Sequence, residues 1–420
     1  MTRKDSIDRL AQHGVAQRPT GWRQSRVKYL GSFLNGYPFK PGDWSSEGRP
    51  ILRIQDLSGL SADPNRFSGE IDPRYLVERG DILISWSASL GVYRWAGEES
   101  WLNQHIFKVE VDSSIVHPDF FCWLAEWFMA ELGREAHGST MQHLTADAFG
   151  GFPVLLPPFS QQKAIASYLS SEAARLDALV GAKKRVLDLL AEKRKAIIAT
   201  AVTRGLDPKA KLRDSGVPWL GEIPAHWEIE RARWLFRERD VRSTTGEEEM
   251  LTVSHLTGVT PRSEKDVNMF EAETNEGYKL CEPADLVINT LWAWMGAMGI
   301  ATVKGIVSPA YNVYQPGPRL EPAYIDALVR LPVFAQEVTR YSKGVWSSRL
   351  RLYPEGFFEV YLPVPPQGEQ QAIVKHIARE TEMLDAVRVA TERTIGLLRE
   401  RRSALIAAAV TGQLDVGAAA

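Results

Sequence analysis

The sequence predicts an α+β chain in which two mixed α/β domains alternate with two long helices, the whole built on an internal repeat. Three observations predict it. A segment beginning at Pro157 returns, without a gap, at Pro365. Each copy carries apolar residues at helical spacing and no proline after its opening Pro-Pro pair. All 13 tryptophans lie outside the two copies.

The repeat is dense. PPFSQQKAIASYLSSEAARLDALVGAKKRVLDLLAEKRKAIIATAVTRGLD aligns with PPQGEQQAIVKHIARETEMLDAVRVATERTIGLLRERRSALIAAAVTGQLD at an offset of 208, with 23 of 51 positions identical. Weaker matches keep the same order outside it. Pro19-Thr-Gly-Trp22 pairs with Pro224-Ala-His-Trp227, Gly80-Asp-Ile-Leu-Ile-Ser85 with Ala284-Asp-Leu-Val-Ile-Asn289, and Gly138-Ser-Thr140 with Trp346-Ser-Ser348. Duplication gives a domain over 1–156, a long helix over 157–207, a second domain over 208–364 and a second long helix over 365–420. The domains have diverged far more than the helices.

The first helical stripe is Ile165, Leu169, Leu176, Leu179, Leu187, Leu190, Ile197 and Ala201. The second is Ile373, Ile377, Leu384, Val387, Ile395, Leu398, Leu405 and Ala409. Ser160 and Gly368 are the expected N-caps, and Gly205 and Gly412 mark the C-terminal ends. Each helix then runs about 44 residues, or about 66 Å. An exposed apolar stripe of that length needs a partner, and the other copy is the nearest one. The residues themselves leave parallel and antiparallel pairing open.

Within the domains, Arg53–Leu57, Asp81–Ile84 and Asp285–Ile288 read as strands. Asp119–Leu132 and Tyr324–Tyr341 read as helices.

Composition bounds the chemistry. With 420 residues and 44% hydrophobic content the chain can bury substantial cores. Cys122 and Cys281 are too few for a disulfide framework or a cysteine zinc site, which fits a reducing cytoplasm. The N-terminus lacks the apolar core of a signal peptide, and no stretch reaches about 18 apolar residues, so a soluble cytoplasmic protein without a membrane role is expected. A formal charge of −2 means that any DNA-binding basic surface is local.

Catalytic signatures are missing. An adenine methyltransferase needs a cofactor-binding glycine turn and an Asn/Asp-Pro-Pro-aromatic motif. Leu156-Pro-Pro-Phe159 lacks the amide or acid and opens a helix. No Gly-x-x-x-x-Gly-Lys-Ser/Thr loop is present for nucleotide binding. The eight histidines, His143, His255 and His376 among them, show no metal-ligand spacing. Asp72-Pro73 followed by Glu78-Arg79 is too loose for a nuclease. No catalytic residue, metal ligand or cofactor site is expected in this chain.

Polar and aromatic clusters remain as candidate DNA contacts. In the first domain these are Ser85, Trp86, Ser87 and Ser89, then Asn103, Gln104 and His105, then Ser139, Thr140, Gln142 and His143. In the second they are Asn289, Thr290 and Trp292, then Tyr311 and Asn312, then Ser347, Ser348, Arg349 and Arg351. Donors beside a glycine suit phosphates or base edges, and flat rings suit stacking. Against each stands a plain role in a core, a turn or a solvated face, including for Trp86, Trp292 and Trp294.

With the repeat, the PP-x-x-Q/E-Q-x-A-I openings at Pro157 and Pro365, and the Gly-Asp-Ile-Leu-Ile-Ser stretch at Gly80, the chain resembles the specificity subunits of Type I restriction-modification enzymes from end to end. The resemblance implies that the domains are target recognition domains and that the helices pair antiparallel as a coiled-coil spacer, giving a pseudo-twofold molecule. It implies a non-catalytic reader of a bipartite double-stranded DNA target. It also implies two modification (methyltransferase) subunits holding S-adenosylmethionine, and restriction subunits using ATP and Mg. About 66 Å of helix corresponds to at most about 19 base pairs between half-sites. The competing reading is a non-catalytic coiled-coil adaptor that binds other proteins rather than DNA.

Overall fold

The computed structural model describes residues 18–57, 64–87, 89–136, 146–264, 274–344 and 350–416. The chain divides into two compact units, Met1–Lys184 with Glu392–Ala420, and Arg185–Thr391. Each long helix begins in one unit and ends in the other.

The first unit runs β1 (Arg23–Arg26), β2 (Gly31–Asn35), β3 (Arg49–Leu52), the helical turn α1 (Ile54–Leu57), β4 (Arg66–Phe67), β5 (Leu76–Val77) and β6 (Ile82–Ser85). It continues through β7 (Gly91–Arg94), β8 (Ser100–Leu102), β9 (Ile106–Val111), α2 (Pro118–Ala136), α3 (Ala146–Gly151) and β10 (Pro153–Leu156) to the start of α4 (Phe159–Arg204). A four-stranded antiparallel sheet has the order β2-β9-β6-β7, and a second has the order β4-β3-β8-β5. β6 is an interior strand, buried along its whole length, which is why its sequence is a continuous apolar run. α2 buries Phe120, Phe121, Leu124 and Phe128 in the unit's main core.

The second unit runs β11 (Leu212–Asp214), β12 (Glu222–Pro224), β13 (Glu228–Arg231), α5 (Ala232–Leu235), β14 (Phe236–Glu238), β15 (Leu251–Ser254), β16 (Gly258–Pro261), β17 (Lys279–Cys281) and β18 (Leu286–Asn289). Then come β19 (Met298–Ile300), β20 (Gly305–Val307), β21 (Tyr311–Pro316), α6 (Pro322–Val329), α7 (Pro332–Arg340), α8 (Pro354–Phe358), β22 (Tyr361–Val364) and α9 (Gln367–Val410). Its four-stranded sheet has the order β14-β21-β18-β19, the counterpart of β2-β9-β6-β7. β13 pairs with β22 as β1 pairs with β10. The duplication is therefore one of topology as well as of sequence.

Four local expectations change. Arg53–Leu57 is not a strand: β3 ends at Leu52, and the Asp56 carboxylate accepts the Arg53 amide at 2.7 Å, closing the turn α1. Tyr324–Tyr341 is two helices rather than one, because Pro332 lacks an amide hydrogen and restarts the chain as α7 after Leu331. Ser160 and Gly368 are not the N-caps, since the first helical bonds are accepted by the carbonyls of Pro158 and Pro366. Leu179 and Val387 face solvent instead of joining the buried stripe.

The helix ends show why the repeated motif exists. Gln162 is buried; its Oε1 accepts the His117 amide at 2.7 Å, and its Nε2 donates to the carbonyls of Pro157 (3.0 Å) and Ile115 (3.2 Å). Gln370, 208 residues on, accepts the Glu321 amide at 2.8 Å and donates to the carbonyls of Pro365 (2.8 Å) and Arg319 (2.9 Å). The same side chain thus ties each helix start to the loop before α2 or α6. At the other end, Gly412 has φ +76° and a Cβ there would stand 2.3 Å from Pro19 Cγ, so only glycine closes α9 against the Pro19–Trp22 turn.

Within each unit the two helical segments run in opposite directions. In the first, Asp177 pairs with Arg402 at 3.3 Å, while Ile165 and Leu169 share a core with Ile406, Ala409 and Val410. In the second, Arg194 pairs with Asp385 at 2.7 Å, while Ala201 and Val202 share a core with Ile373. Within each unit taken by itself, these contacts are antiparallel.

Candidate nucleic-acid interface

Among the described residues, the first unit's candidates around Ser85 and around Asn103 lie at one end of the sheet β2-β9-β6-β7. β6 pairs with β9 in the register Ser85 to Ile106, which brings the turn after β6 beside Asn103–His105. Trp86 donates to Asn35 Oδ1 at 3.1 Å and stacks on Phe107 at 5.9 Å, with His105 tilted against it at 5.6 Å. Phe107 in turn meets Phe149 of α3 at 5.2 Å. This aromatic chain links the turn after β6 to α3.

The second unit repeats the placement with other residues. β18 pairs with β21 in the register Asn289 to Tyr311 and Ile288 to Asn312. Asn289 Nδ2 donates to the Tyr311 hydroxyl at 3.0 Å, and burial pushes that phenol's pKa up. The Leu352 amide donates to the Thr290 carbonyl at 3.0 Å, which seats Arg351 beside this turn. Arg351 also exchanges two backbone bonds with Lys343, both at 2.9 Å.

Burial sorts the candidates. Ser85, Asn289, Thr290 and Asn312 are buried and bonded internally: Ser85 Oγ donates to the Ser89 carbonyl at 2.5 Å, Thr290 Oγ1 to the Ala310 carbonyl at 2.7 Å, and Asn312 Oδ1 accepts from Lys279 Nζ at 3.3 Å. These side chains hold the loops. Ser87 is buried as well. Ser89 is exposed, while Asn103, Gln104, His105, Tyr311 and Arg351 are half-buried. Trp86 and Trp294 are half-buried, whereas Trp292 is 51% exposed and offers a ring face to solvent. Ser139, Thr140, Gln142 and His143 lie outside the described residues, as do Ser347, Ser348 and Arg349.

One feature escaped the sequence reading. Lys28-Tyr29 and Arg233-Trp234 occupy equivalent corners after β1 and β13, with Tyr29 58% and Trp234 74% exposed. Lys28 Nζ stands 5.1 Å from the Tyr29 ring, and Arg233, next to Trp234 in sequence, pairs with Glu359; a cation near an open ring suits a nucleic-acid backbone. The signal was an offset of 205 from Lys28 to Arg233, visible only once the strands are aligned.

Asp72, weighed above with Glu78 for a nuclease, has a structural part. Asp72 caps the turn at Arg74, and Asp81 accepts the Glu78 amide at 2.8 Å. Among the described residues no His, Cys, Asp and Glu side chains cluster as metal ligands would, and no helix is long and apolar enough to cross a membrane.

Comparison with known proteins bears on what this scaffold does. Residues 19–187 match the family described as Type I restriction modification DNA specificity domain. The Type I restriction enzyme EcoBI specificity subunit of Escherichia coli is 22% identical, over 96% of this chain and 88% of its own length. The MjaVIII specificity subunit of Methanocaldococcus jannaschii is 24% identical, over 52% of this chain and 49% of its own. Among solved structures, a chain of the type I R-M system, described for its complex assembly and conformational transition, superposes with a TM-score of 0.64 at 17% identity, covering 95% of this chain and all of that one. The HsdS subunit of Thermoanaerobacter tengcongensis gives 0.52 at 15% identity, covering 96% of this chain and all of its own. A duplicated domain-and-helix chain that carries a matching DNA specificity domain over 19–187 and aligns along nearly its whole length with a Type I restriction enzyme specificity subunit is thus similar to the Type I restriction-modification specificity subunits.

Proposed function

We propose that the chain reads a bipartite target, each unit contacting one half-site, with an unread gap between them. The observation that carries this is the equivalent sheet end in the two units, presenting Ser89, Trp86 and His105 in one and Trp292, Tyr311 and Arg351 in the other. Equivalent scaffolds with different residues at the same place suit readers of different sequences. Buried Ser85, Ser87, Asn289, Thr290 and Asn312 position the loops. Asn103, Gln104, Ser139, Thr140, Gln142, His143, Ser347, Ser348 and Arg349 complete the proposed contact set, and Tyr29 and Trp234 with their neighbouring cations grip the backbone.

The helices act as a ruler: about 66 Å of helix allows at most about 19 base pairs of gap. The paired helices recruit partners in the cytoplasm. Two modification subunits bring S-adenosylmethionine and methylate adenine, and restriction subunits bring ATP and Mg. The small net charge fits a reader whose partners supply much of the phosphate contact. The adaptor reading gains no support from the relatives.

Genome-wide mapping of methylated adenine tests the proposal. Trp292→Ala and Arg349→Ala are expected to relax one half-site only, and Gln142→Ala the other. Equal loss at both half-sites for any of the three would refute separate readers.

A further inference from the structure

We propose that the second unit holds a docking groove for an aromatic side chain with a neighbouring carboxylate, presented by a partner protein, and that in the first unit Trp123 narrows the equivalent groove to about 210 Å³. The inference does not depend on DNA reading.

The equivalence is fixed by hydrogen bonds. Gln162 takes the His117 amide and Gln370 the Glu321 amide, so α2 and α6 align at an offset of 204. Buried Phe120, Phe121, Leu124 and Ala125 then correspond to buried Tyr324, Ile325, Leu328 and Val329. At that offset Trp123 corresponds to Ala327 and Glu126 to Arg330. On the long helices, at 208, Ser170 corresponds to Ala378 and Arg402 to Arg194.

In the first unit these four residues form one cluster. Trp123 Nε1 donates to Ser170 Oγ at 3.3 Å, and the Arg402 guanidinium stands 5.7 Å from the indole while pairing with Glu126. In the second unit the four counterparts, Ala327, Ala378, Arg194 and Arg330, line an open groove of about 670 Å³. That volume lies in the range of ordinary binding pockets. Ile198 and Ile377 add apolar lining.

The electrostatics change with the shape. Where the first unit has the Glu126 carboxylate, the second has the Arg330 guanidinium, with Arg194, Lys195 and His255 also on the groove. Its carboxylate, Asp326, is engaged by the Ile300 amide at 2.9 Å and by Arg330 at 3.5 Å. At the positions where the first unit places the Trp123 ring and the Glu126 carboxylate, the groove has Ala327 and Arg330. Aromatic anchors in such pockets carry most of the affinity of a docked segment.

The probe is acetyl-Trp-Leu-Ala-Glu-amide, the sequence of residues 123–126, titrated calorimetrically into the full chain. One saturable site per chain is expected, and Ala327→Trp should weaken it by about tenfold or more. Arg330→Glu should lose this peptide and gain the version ending in lysine, which keeps the test decisive if Ala327→Trp misfolds. Absence of saturable binding, or binding unchanged in both variants, overturns the proposal. So does a non-target DNA duplex that displaces the peptide and loses affinity in the same two variants, which would assign the groove to nucleic acid.

Discussion

The first and second units share their joints and differ in their surfaces. The buried glutamine at each helix start, the proline-to-tryptophan turn after each helix end and the arginine–aspartate pair between helix segments recur at equivalent positions. The turns at the sheet end and the filling beside α2 and α6 do not. A difference confined to surfaces teaches that divergence was tolerated wherever no backbone group needed a partner.

The largest test of that likeness is the glutamine. Gln162→Ala leaves the His117 amide and the Pro157 carbonyl unpaired and the Ile115 carbonyl with only the Arg23 guanidinium at 3.4 Å, while Gln370→Ala frees the Glu321 amide and the Pro365 and Arg319 carbonyls. Each should cost about 3 kcal/mol of unfolding free energy by denaturant titration. Hydrogen exchange should locate the loss in the first unit for Gln162 and in the second for Gln370. Costs differing by more than about 1 kcal/mol would break the equivalence of the joints.

Next comes the arginine, where the units are expected to diverge. Arg402 joins Glu126, Asp177 and the Trp123 ring and is one-quarter exposed, whereas Arg194 pairs with Asp385 at a half-exposed site. Arg402→Ala should cost about 1 kcal/mol after discounting for solvent screening. Arg194→Ala should leave the melting transition in place. An equal cost would mean that the open groove does not weaken the second unit's arginine.

The turn before the buried strand gives a change of opposite sign. Gly80 has φ +101° and Ala284 has φ +76°, each in the left-handed region, and their amides donate to Trp95 and Ala301 at 2.8 Å. The methyl of Ala284 is tolerated there at a cost of about 1 kcal/mol. Ala284→Gly should therefore stabilise by about that amount, and Gly80→Ala should destabilise similarly, both read from thermal melts. A destabilised Ala284→Gly would show that its methyl packs usefully.

Much of this was legible in the residues. The long helices follow from period and from the missing prolines, and β6 and β18 from their apolar runs. The break at Pro332 was written in the chain but outweighed by the apolar spacing around it. The turn at Ile54–Leu57 was not legible, because four residues carry too little period and Asp56 decides locally. Nor was the burial of Gln162 and Gln370, since a polar side chain enters a core only when distant carbonyls await it. The candidate site was legible as separate clusters. Their meeting depends on the pairing of β6 with β9 and of β18 with β21, which joins residues far apart in sequence. Composition alone did not distinguish half-buried Trp86 from exposed Trp292.

The smallest expected effect concerns acid. The Arg194 side chain, and then Arg388, hold the Asp385 carboxyl below its usual range. A folded pKa below the unfolded value gives a contribution present above the unfolded pKa, near 4, and lost as pH falls through the folded one. Asp385→Asn removes that dependence. The variant should fall slightly below the parent at pH 6, and the gap should narrow at about pH 3, in denaturant titrations run at both. Because the pair is exposed, 0.5 M salt should shrink the gap at pH 6. Curves separated equally at both pH values would assign the difference to packing of the side chain and leave the arginine–aspartate joint without an electrostatic share.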